Sequence, residues 1–124
     1  MKKQNFQKGR MGEGIARDFL IKKNYEILSS NFHTRYGELD LIAVKQNKLI
    51  FVEVKLKVGE DFGLPEEMIT PTKLFQVQQT ATAYLQANPD VAQKYPSYQI
   101  DAVCIVVDKN NEVVRINQYE NLTG

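Results

Sequence analysis

Apolar residues recur along the chain with two different periods, one helical and one typical of strands. Between residues 9 and about 23 they return every three or four positions, which predicts an amphipathic helix with one buried arc. Glu13 lies at the edge of that arc, where a carboxylate can reach a cleft while the backbone stays packed. The arc itself consists of Met11, Gly12, Ile15, Ala16, Phe19 and Leu20.

Three short runs rich in β-branched and aromatic residues follow, at 25–33, 37–44 and 49–56. Polar or glycine-containing turns separate these runs, so we expect an antiparallel meander. The next segment, 57–69, contains two glycines, one proline and four acids, which is typical of an ordered or mobile loop.

A second long helix is predicted to begin at Pro71, with Thr70 as its N-cap. Its apolar stripe consists of Leu74, Val77, Ala81, Tyr84 and Leu85. Beyond it the pattern predicts a helical turn, a strongly apolar strand in the centre of the sheet, a turn, a last strand and a loosely held tail. These segments are 88–96, 98–107, 108–112, 113–117 and about 118–124.

The order of these elements predicts an α/β fold, α-β-β-β-α-β-β, with a mixed sheet flanked by helices. The crossover through the second helix allows the fourth strand to pair in parallel with an earlier one. At 124 residues the chain is long enough for one core, so residues 1–124 are expected to form a single domain.

The net charge of +1 argues against general polyanion binding, so any nucleic-acid contact must be local. Positive charge concentrates near the N-terminus, where a solvated helix face is the alternative interpretation. The single cysteine, Cys104, excludes a disulfide framework. No apolar stretch has the length of a signal peptide or a membrane span, which favours a cytoplasmic protein without a membrane partner. The basic residues are Lys2, Lys3, Lys8, Arg10, Arg17, Lys22 and Lys23.

Acids interrupt the second and third predicted strands. If the turn is centred between residues 46 and 47, Asp40 lies opposite Glu53 and Glu38 lies opposite Lys55. Strand alternation then places all four side chains on one face, together with Ile42 and Phe51. The other face becomes a clean apolar surface of Leu39, Leu41, Ala43, Ile50, Val52 and Val54.

Two interpretations of the facing acids remain open. Like charges placed opposite each other destabilise a sheet, and a Mg²⁺ ion held by Asp40 and Glu53 would compensate. Lys55 would then orient a water molecule or offset charge on a phosphate. Alternatively, the face is an exposed hairpin surface with a Glu38 to Lys55 ion pair and two solvated acids.

Four sequence motifs together resemble the YraN family of small bacterial proteins. They are "GRMGEGIARDFL", which contains Glu13, then "NFHTRYGELDLIA", "LIFVEVK" and "PTKLFQV". In its core that family is similar to the PD-(D/E)xK nuclease superfamily, especially archaeal Holliday-junction resolvases, with a restriction-endonuclease-like three-layer fold. The resemblance extends from about residue 9 to residue 107.

The resemblance implies hydrolysis of DNA phosphodiester bonds with Mg²⁺, or Mn²⁺ as a substitute. Asp40 and Glu53 would hold the metal, Lys55 would position the attacking water, and Glu13 would be the helix-borne acid of the resolvase branch. Leu39 stands before Asp40 in place of the superfamily's proline, which the superfamily tolerates.

Four basic residues are candidates for contacts with the nucleic acid: Arg10, Arg17, Lys57 and Lys73. Lys57 stands where the family usually has arginine, which argues against a bidentate phosphate clamp there. For Lys73 the alternative to a phosphate contact is packing of its stem over Tyr84.

Three hypotheses about function follow. The first is a Mg²⁺-dependent endonuclease acting on double-stranded, branched or junction DNA. The second is a nucleic-acid-binding module of the same fold whose catalysis is lost or depends on a partner. The modest net charge favours the second, or a homodimer that joins two basic patches. The third is a structural or protein-interaction domain, which leaves the facing acids unexplained.

Overall fold

The computed structural model describes residues 2–124, with side chains from residue 7 onward. The side chains of Lys2 and Lys3, part of the predicted basic segment, lie outside the described part. The elements are α1 (Lys2–Lys22), β1 (Glu26–Thr34), β2 (Gly37–Lys45), β3 (Lys48–Val58), a 3₁₀ helix (Pro65–Met68), α2 (Pro71–Ala87), α3 (Pro89–Lys94), β4 (Tyr98–Val107) and β5 (Val113–Tyr119).

The five strands form one mixed sheet in the order β1-β2-β3-β4-β5. β1, β2 and β3 form the predicted antiparallel meander. β4 pairs in parallel with β3 after the crossover through α2 and α3, and β5 is antiparallel to β4. The prediction of a mixed sheet flanked by helices is therefore confirmed. β4 has neighbours on both sides as expected, although β3 is the middle strand.

Each face of the sheet packs against helices through its own apolar cluster. Ala16 and Leu20 of α1 pack on one face, which includes Leu41, Val52 and Val103. On the other face α2 contributes its predicted stripe to a second cluster that includes Val77, Ala81, Tyr84, Ile42, Phe51 and Ile100. The sheet is thus the middle of three layers, and β3 is shielded on both faces.

The predicted register of β2 and β3 is confirmed near the turn, where Leu41 pairs with Val52 and Lys45 with Lys48. The predicted pairs of Asp40 with Glu53 and of Glu38 with Lys55 lie beyond this regular ladder. Gln46 and Asn47 both have positive φ, 51° and 62°. Two consecutive left-handed residues are typical of a two-residue hairpin turn, which sets the register.

The prediction that Leu39 shares a face with Leu41 is wrong. Leu39 packs in the α2 cluster and Leu41 in the α1 cluster, although residues two apart in a regular strand share a face. The alternation therefore breaks at Asp40. β1 is irregular at the same level, because Asn31 lies between the partners of these two leucines and has a left-handed φ of 55°.

The segment between β3 and α2 contains the 3₁₀ helix and is tied to β5, so the ordered form of the expected loop is the one found. Arg115 of β5 bonds Glu60 through Nε at 2.9 Å. It also makes a bidentate contact with Glu66, at 2.7 and 3.0 Å. Tyr119 donates its hydroxyl to the same Glu66 carboxylate.

The loosely held tail expected from residue 118 is not found, because β5 continues through Tyr119 and the following residues are bonded to β4. The Asn121 amide donates to Oδ1 of Asp101 at 2.9 Å, and the Leu122 amide donates to the Ile100 carbonyl at 2.8 Å. The tail pairs with residues about twenty positions earlier, which local sequence patterns do not reveal.

Candidate functional site

Glu53 is an acid in the middle strand of a sheet that is covered on both faces. Val52 and Val54 belong to the α1 cluster, so the alternation of β3 directs Glu53 toward the α2 side, as it does Phe51 and Lys55. The side chain is 2% exposed. The interpretation of this face as an exposed hairpin surface is therefore wrong.

Two lysines approach the same oxygen of the buried carboxylate. Nζ of Lys55 lies 3.4 Å and Nζ of Lys73 lies 3.5 Å from Oε1 of Glu53. Lys73 is held in the first turn of α2 because its amide donates to the Thr70 hydroxyl at 3.1 Å, which confirms the predicted N-cap. Oε2 of Glu53 is buried and has no hydrogen-bond donor among the described residues.

Asp40 joins β2 to this site. Its Oδ2 accepts the amide of Val54 at 2.8 Å, beyond the end of the regular ladder between β2 and β3. Its carboxyl lies within hydrogen-bonding reach of the Glu53 carboxyl. Burial, and then the charge of Asp40, raise the pKa of Glu53 to about 7, while the charges of the two lysines oppose this shift.

A second group of acids meets Asp40 from the side of α1. Oxygens of Glu13, Glu38 and Asp40 lie within 4.8 Å of one another, and all three residues are half-buried. Burial raises the pKa of Glu13, and the two neighbouring carboxylates raise it further, while a hydrogen bond with Asn31 opposes the shift. The left-handed Asn31 thus lies beside the helix-borne acid.

The four predicted catalytic residues are brought together around one carboxylate, that of Asp40. Glu53 and Lys55 lie on one side of it and Glu13 on the other. The expected pairing of Lys55 with Glu38 is replaced by the contact with Glu53, while Glu38 lies 3.6 Å from His33.

The predicted nucleic-acid contacts fall into three places. Lys57 lines a cavity of about 460 Å³ together with Lys8 and Lys55. Arg10 and Arg17 line another, of about 260 Å³, beside Glu13. Nζ of Lys73 lies 3.5 Å from Oε1 of Glu53, and its contact with nucleic acid stays a prediction.

Sequence reasoning did not assign Glu38, Asn31 or the Lys73 to Glu53 contact to the site. Glu38 has the same strand spacing from Asp40 as Lys55 has from Glu53, so its proximity could have been considered. Asn31 is an asparagine within a predicted strand, and asparagine is enriched among left-handed residues. The Lys73 contact joins residues twenty positions apart on different elements, which no local pattern indicates.

Asp101 of β4 is an acid with a structural role. It is fully buried and accepts hydrogen bonds from Gln99, Gln118 and the Asn121 amide. Three donors compensate a buried carboxylate, so this residue anchors the C-terminal segment.

None of the helices in the described part of the chain is long and apolar enough to cross a membrane. Matches to known proteins extend over most of the sequence. A UPF0102 protein of Syntrophomonas wolfei is 43% identical over 104 residues, covering 84% of this chain and 88% of the relative. One of Caldicellulosiruptor bescii is 40% identical over 111 residues, covering 90% and 92%. One of Chlorobium phaeobacteroides is 38% identical over 117 residues, covering 94% and 90%.

The family profile matches residues 12–105, a range that includes Glu13, Asp40, Glu53 and Lys55. The resemblance to the YraN proteins is thereby confirmed at the level of the family. The chain belongs to the uncharacterised protein family UPF0102.

Proposed function

We propose that this protein is a metal-dependent endonuclease that hydrolyses DNA phosphodiester bonds, with a core of the PD-(D/E)xK, restriction-endonuclease-like type. The observation that carries the proposal is the environment of Glu53. A carboxyl that is 2% exposed lies against a second carboxyl, that of Asp40, with Lys55 beside it. Such an arrangement opposes folding unless a ligand compensates, which is typical of functional sites.

The donor set fits a hard divalent cation. Oε2 of Glu53 is a buried oxygen without a donor among the described residues, and the adjacent Asp40 carboxylate supplies another oxygen. Oxygen ligands of this kind suit Mg²⁺, with Mn²⁺ as a substitute, and the absence of thiolates or paired histidines disfavours softer metals. Asp40 and Glu53 are therefore the residues that would hold the ion.

The side chains around the ion would then have separate roles. When bound, the ion supplies Lewis-acid polarisation of a phosphate oxygen. Lys55 is anchored on Glu53 at 3.4 Å, so its ammonium can position the attacking water and offset charge on the phosphate. Lys73 balances the carboxylate from α2. Glu13, whose pKa is raised by burial, approaches Asp40 from α1 as a second acid.

A second candidate function is a nucleic-acid-binding module of the same fold with lost or partner-dependent catalysis. The net charge of +1 favours it, because a monomer with few phosphate contacts binds weakly at physiological salt. A homodimer that joins two basic patches would serve either function.

The proposal is tested by incubating linear duplex, single-stranded and four-way-junction DNA with the protein and Mg²⁺ or Mn²⁺. We expect metal-dependent cleavage of at least one substrate, reduced about a hundredfold or more in Lys55→Met. The matched control is Lys48→Met at the β2–β3 turn, which should cleave at the unsubstituted rate. If no substrate is cleaved with either ion, yet junction DNA is retarded in a salt-dependent way, the binding module replaces the nuclease.

A further inference from the structure

A cleft between α1 and β1 opens directly beside Glu13. Its volume is about 260 Å³, and we call it the arginine cleft. α1 contributes Arg10, Gly14 and Arg17 to its walls, while β1 contributes Ser30 and Asn31. It lies apart from the pair of lysines on Glu53, which approach from the α2 side.

The two arginines are placed to contact successive groups of one ligand. Arg10 and Arg17 are seven residues apart, so they lie on the same side of α1, separated by two turns and about 10 Å along the axis. Glu13 lies between them in the sequence and lines the same cleft. Arginine presents a planar fork of donors that matches a phosphate, and such a fork on each side of Glu13 suits a phosphate-bearing chain.

The opposite wall is polar. Ser30 and Asn31 are exposed there, and Asn31 is held in a left-handed conformation beside Glu13. Leu41 contributes an apolar part of the lining. A cleft with cationic forks on one wall, hydroxyl and amide groups on the other and an apolar contact matches a phosphate joined to a sugar.

Gly14 leaves open space on the surface of α1 at the arginine cleft. Glycine in a helix interior costs stability relative to alanine, so it needs a reason. For Gly12 the reason is packing, since an added Cβ would lie 3.2 Å from Cβ of Leu56. At Gly14 an added Cβ would meet no atom of the chain within 4 Å. The space in front of Gly14 is the arginine cleft.

We propose that the arginine cleft binds the sugar–phosphate backbone of the nucleic-acid strand that is being cut, next to the reacting phosphate. Gly14 leaves room for that backbone to approach the helix, while Arg10 and Arg17 pair with phosphates. The inference deepens the proposed function, on which it rests for the role of Glu13, by naming the element that holds the substrate strand.

The test compares two substitutions of the same glycine. Both Gly14→Ala and Gly14→Met should fold at least as stably as the natural chain, because alanine and methionine are better helix formers than glycine. Binding is measured by fluorescence anisotropy of labelled single-stranded and junction oligonucleotides in EDTA, where no cleavage occurs. We expect Gly14→Met to weaken binding about tenfold by filling the cleft, and Gly14→Ala to remain within about twofold.

The contribution of positive charge to binding is tested with a matched pair of substitutions on α1. Arg17→Gln should weaken binding and lower the salt dependence by about one phosphate contact. Lys22→Gln removes the same charge from an exposed position outside the cleft and should have a clearly smaller effect. Unlabelled oligonucleotide should displace the label, whereas inorganic phosphate or a mononucleotide at equal phosphate concentration should not.

The inference is overturned if Gly14→Met binds like the natural protein, if its melting temperature falls, if the two charge variants behave alike, or if inorganic phosphate competes as well as the strand. Its failure is distinct from that of the proposed function. If the natural protein cleaves DNA and Gly14→Met binds it normally, the proposed role of the arginine cleft is rejected but the nuclease function is not. If Gly14→Met loses binding while the natural protein cleaves no substrate, the nuclease function is rejected but binding in the cleft is not.

Discussion

At the scale of single residues, Glu53 has an electrostatically unfavourable environment. Burial in the covered strand, and then the charge of Asp40, raise the pKa of its carboxyl from the ordinary value of 4.5 to about 7. Lys55 and Lys73 offset the charge only in part, and both act on Oε1. The residue therefore opposes folding at neutral pH, as expected where function has constrained the choice of side chain.

The pH dependence of stability should show this cost. Because the folded pKa of Glu53 is raised, the folded state binds more protons between about pH 4.5 and 7, and the contribution of Glu53 to stability falls as pH rises through that range. In EDTA, Glu53→Gln should melt several degrees higher relative to the natural chain at pH 8 than at pH 5. Equal differences at the two pH values would show that Glu53 ionises normally.

Among the elements, the segment from Gly59 to Thr70 shows how a distant residue orders a predicted loop. Its many acids and two glycines predicted a loop, either ordered or mobile. Arg115, on β5, neutralises Glu60 and Glu66 and bonds the side chain of Asn117 as well. Glu60 and Glu66 lie about fifty positions before Arg115 in the chain, so only the assembled sheet reveals these two contacts.

Replacing Arg115 by Met should release this segment. Hydrogen exchange of the Glu67 and Ile69 amides, which bond within the 3₁₀ turn, should become faster, while exchange in α1 stays unchanged. The Arg115 hydrogen bonds lower the pKa of Glu66 to about 2. Their stabilisation is therefore complete above about pH 4.5 and is lost as pH falls toward 2.

The melting temperatures of the two proteins should accordingly converge in acid. Arg35→Met, on the exposed β1–β2 turn, is the control and should leave exchange in the segment unchanged. Unchanged exchange of the Glu67 and Ile69 amides in Arg115→Met would contradict the role of Arg115 in ordering the segment.

For the whole molecule, local sequence patterns predicted the layers of helices and sheet but not the contacts between distant parts of the chain. Helical and strand periods predicted both long helices, the meander and the parallel crossover, because each depends on burial of a continuous apolar face. The β2–β3 register followed from one turn. The face on which Leu39 lies could not be predicted in this way, because the strand alternation breaks at Asp40. The proximity of Asp40 to Glu53 was predicted from the turn, although the regular ladder ends at Leu41 and Val52. The contact of Lys73 with Glu53 depends on the packing of α2 on the sheet.

The contacts that hold the C-terminal segment were also not predicted from the sequence pattern. Gln118 donates to Asp101 and Tyr25 and accepts from Lys23, so it links β5 to the chain between α1 and β1. Removing residues 118–124 would leave the buried Asp101 carboxylate without two of its donors. We expect destabilisation of about 3 kcal/mol or more in thermal or urea unfolding. Removing residues 123–124 alone is the control. If removal of residues 118–124 leaves the stability unchanged, the C-terminal segment is the loosely held tail that the sequence predicted.

The most direct test of the central claim is a calorimetric titration of the metal-free protein with Mn²⁺. We predict one bound ion per chain, abolished by Asp40→Asn and by Glu53→Gln and retained by Glu26→Gln, an exposed acid on β1. Binding that survives Glu53→Gln but is lost in Glu13→Gln would place the ion among Glu13, Glu38 and Asp40 and contradict the assigned site. No binding at all would remove the basis of the nuclease proposal.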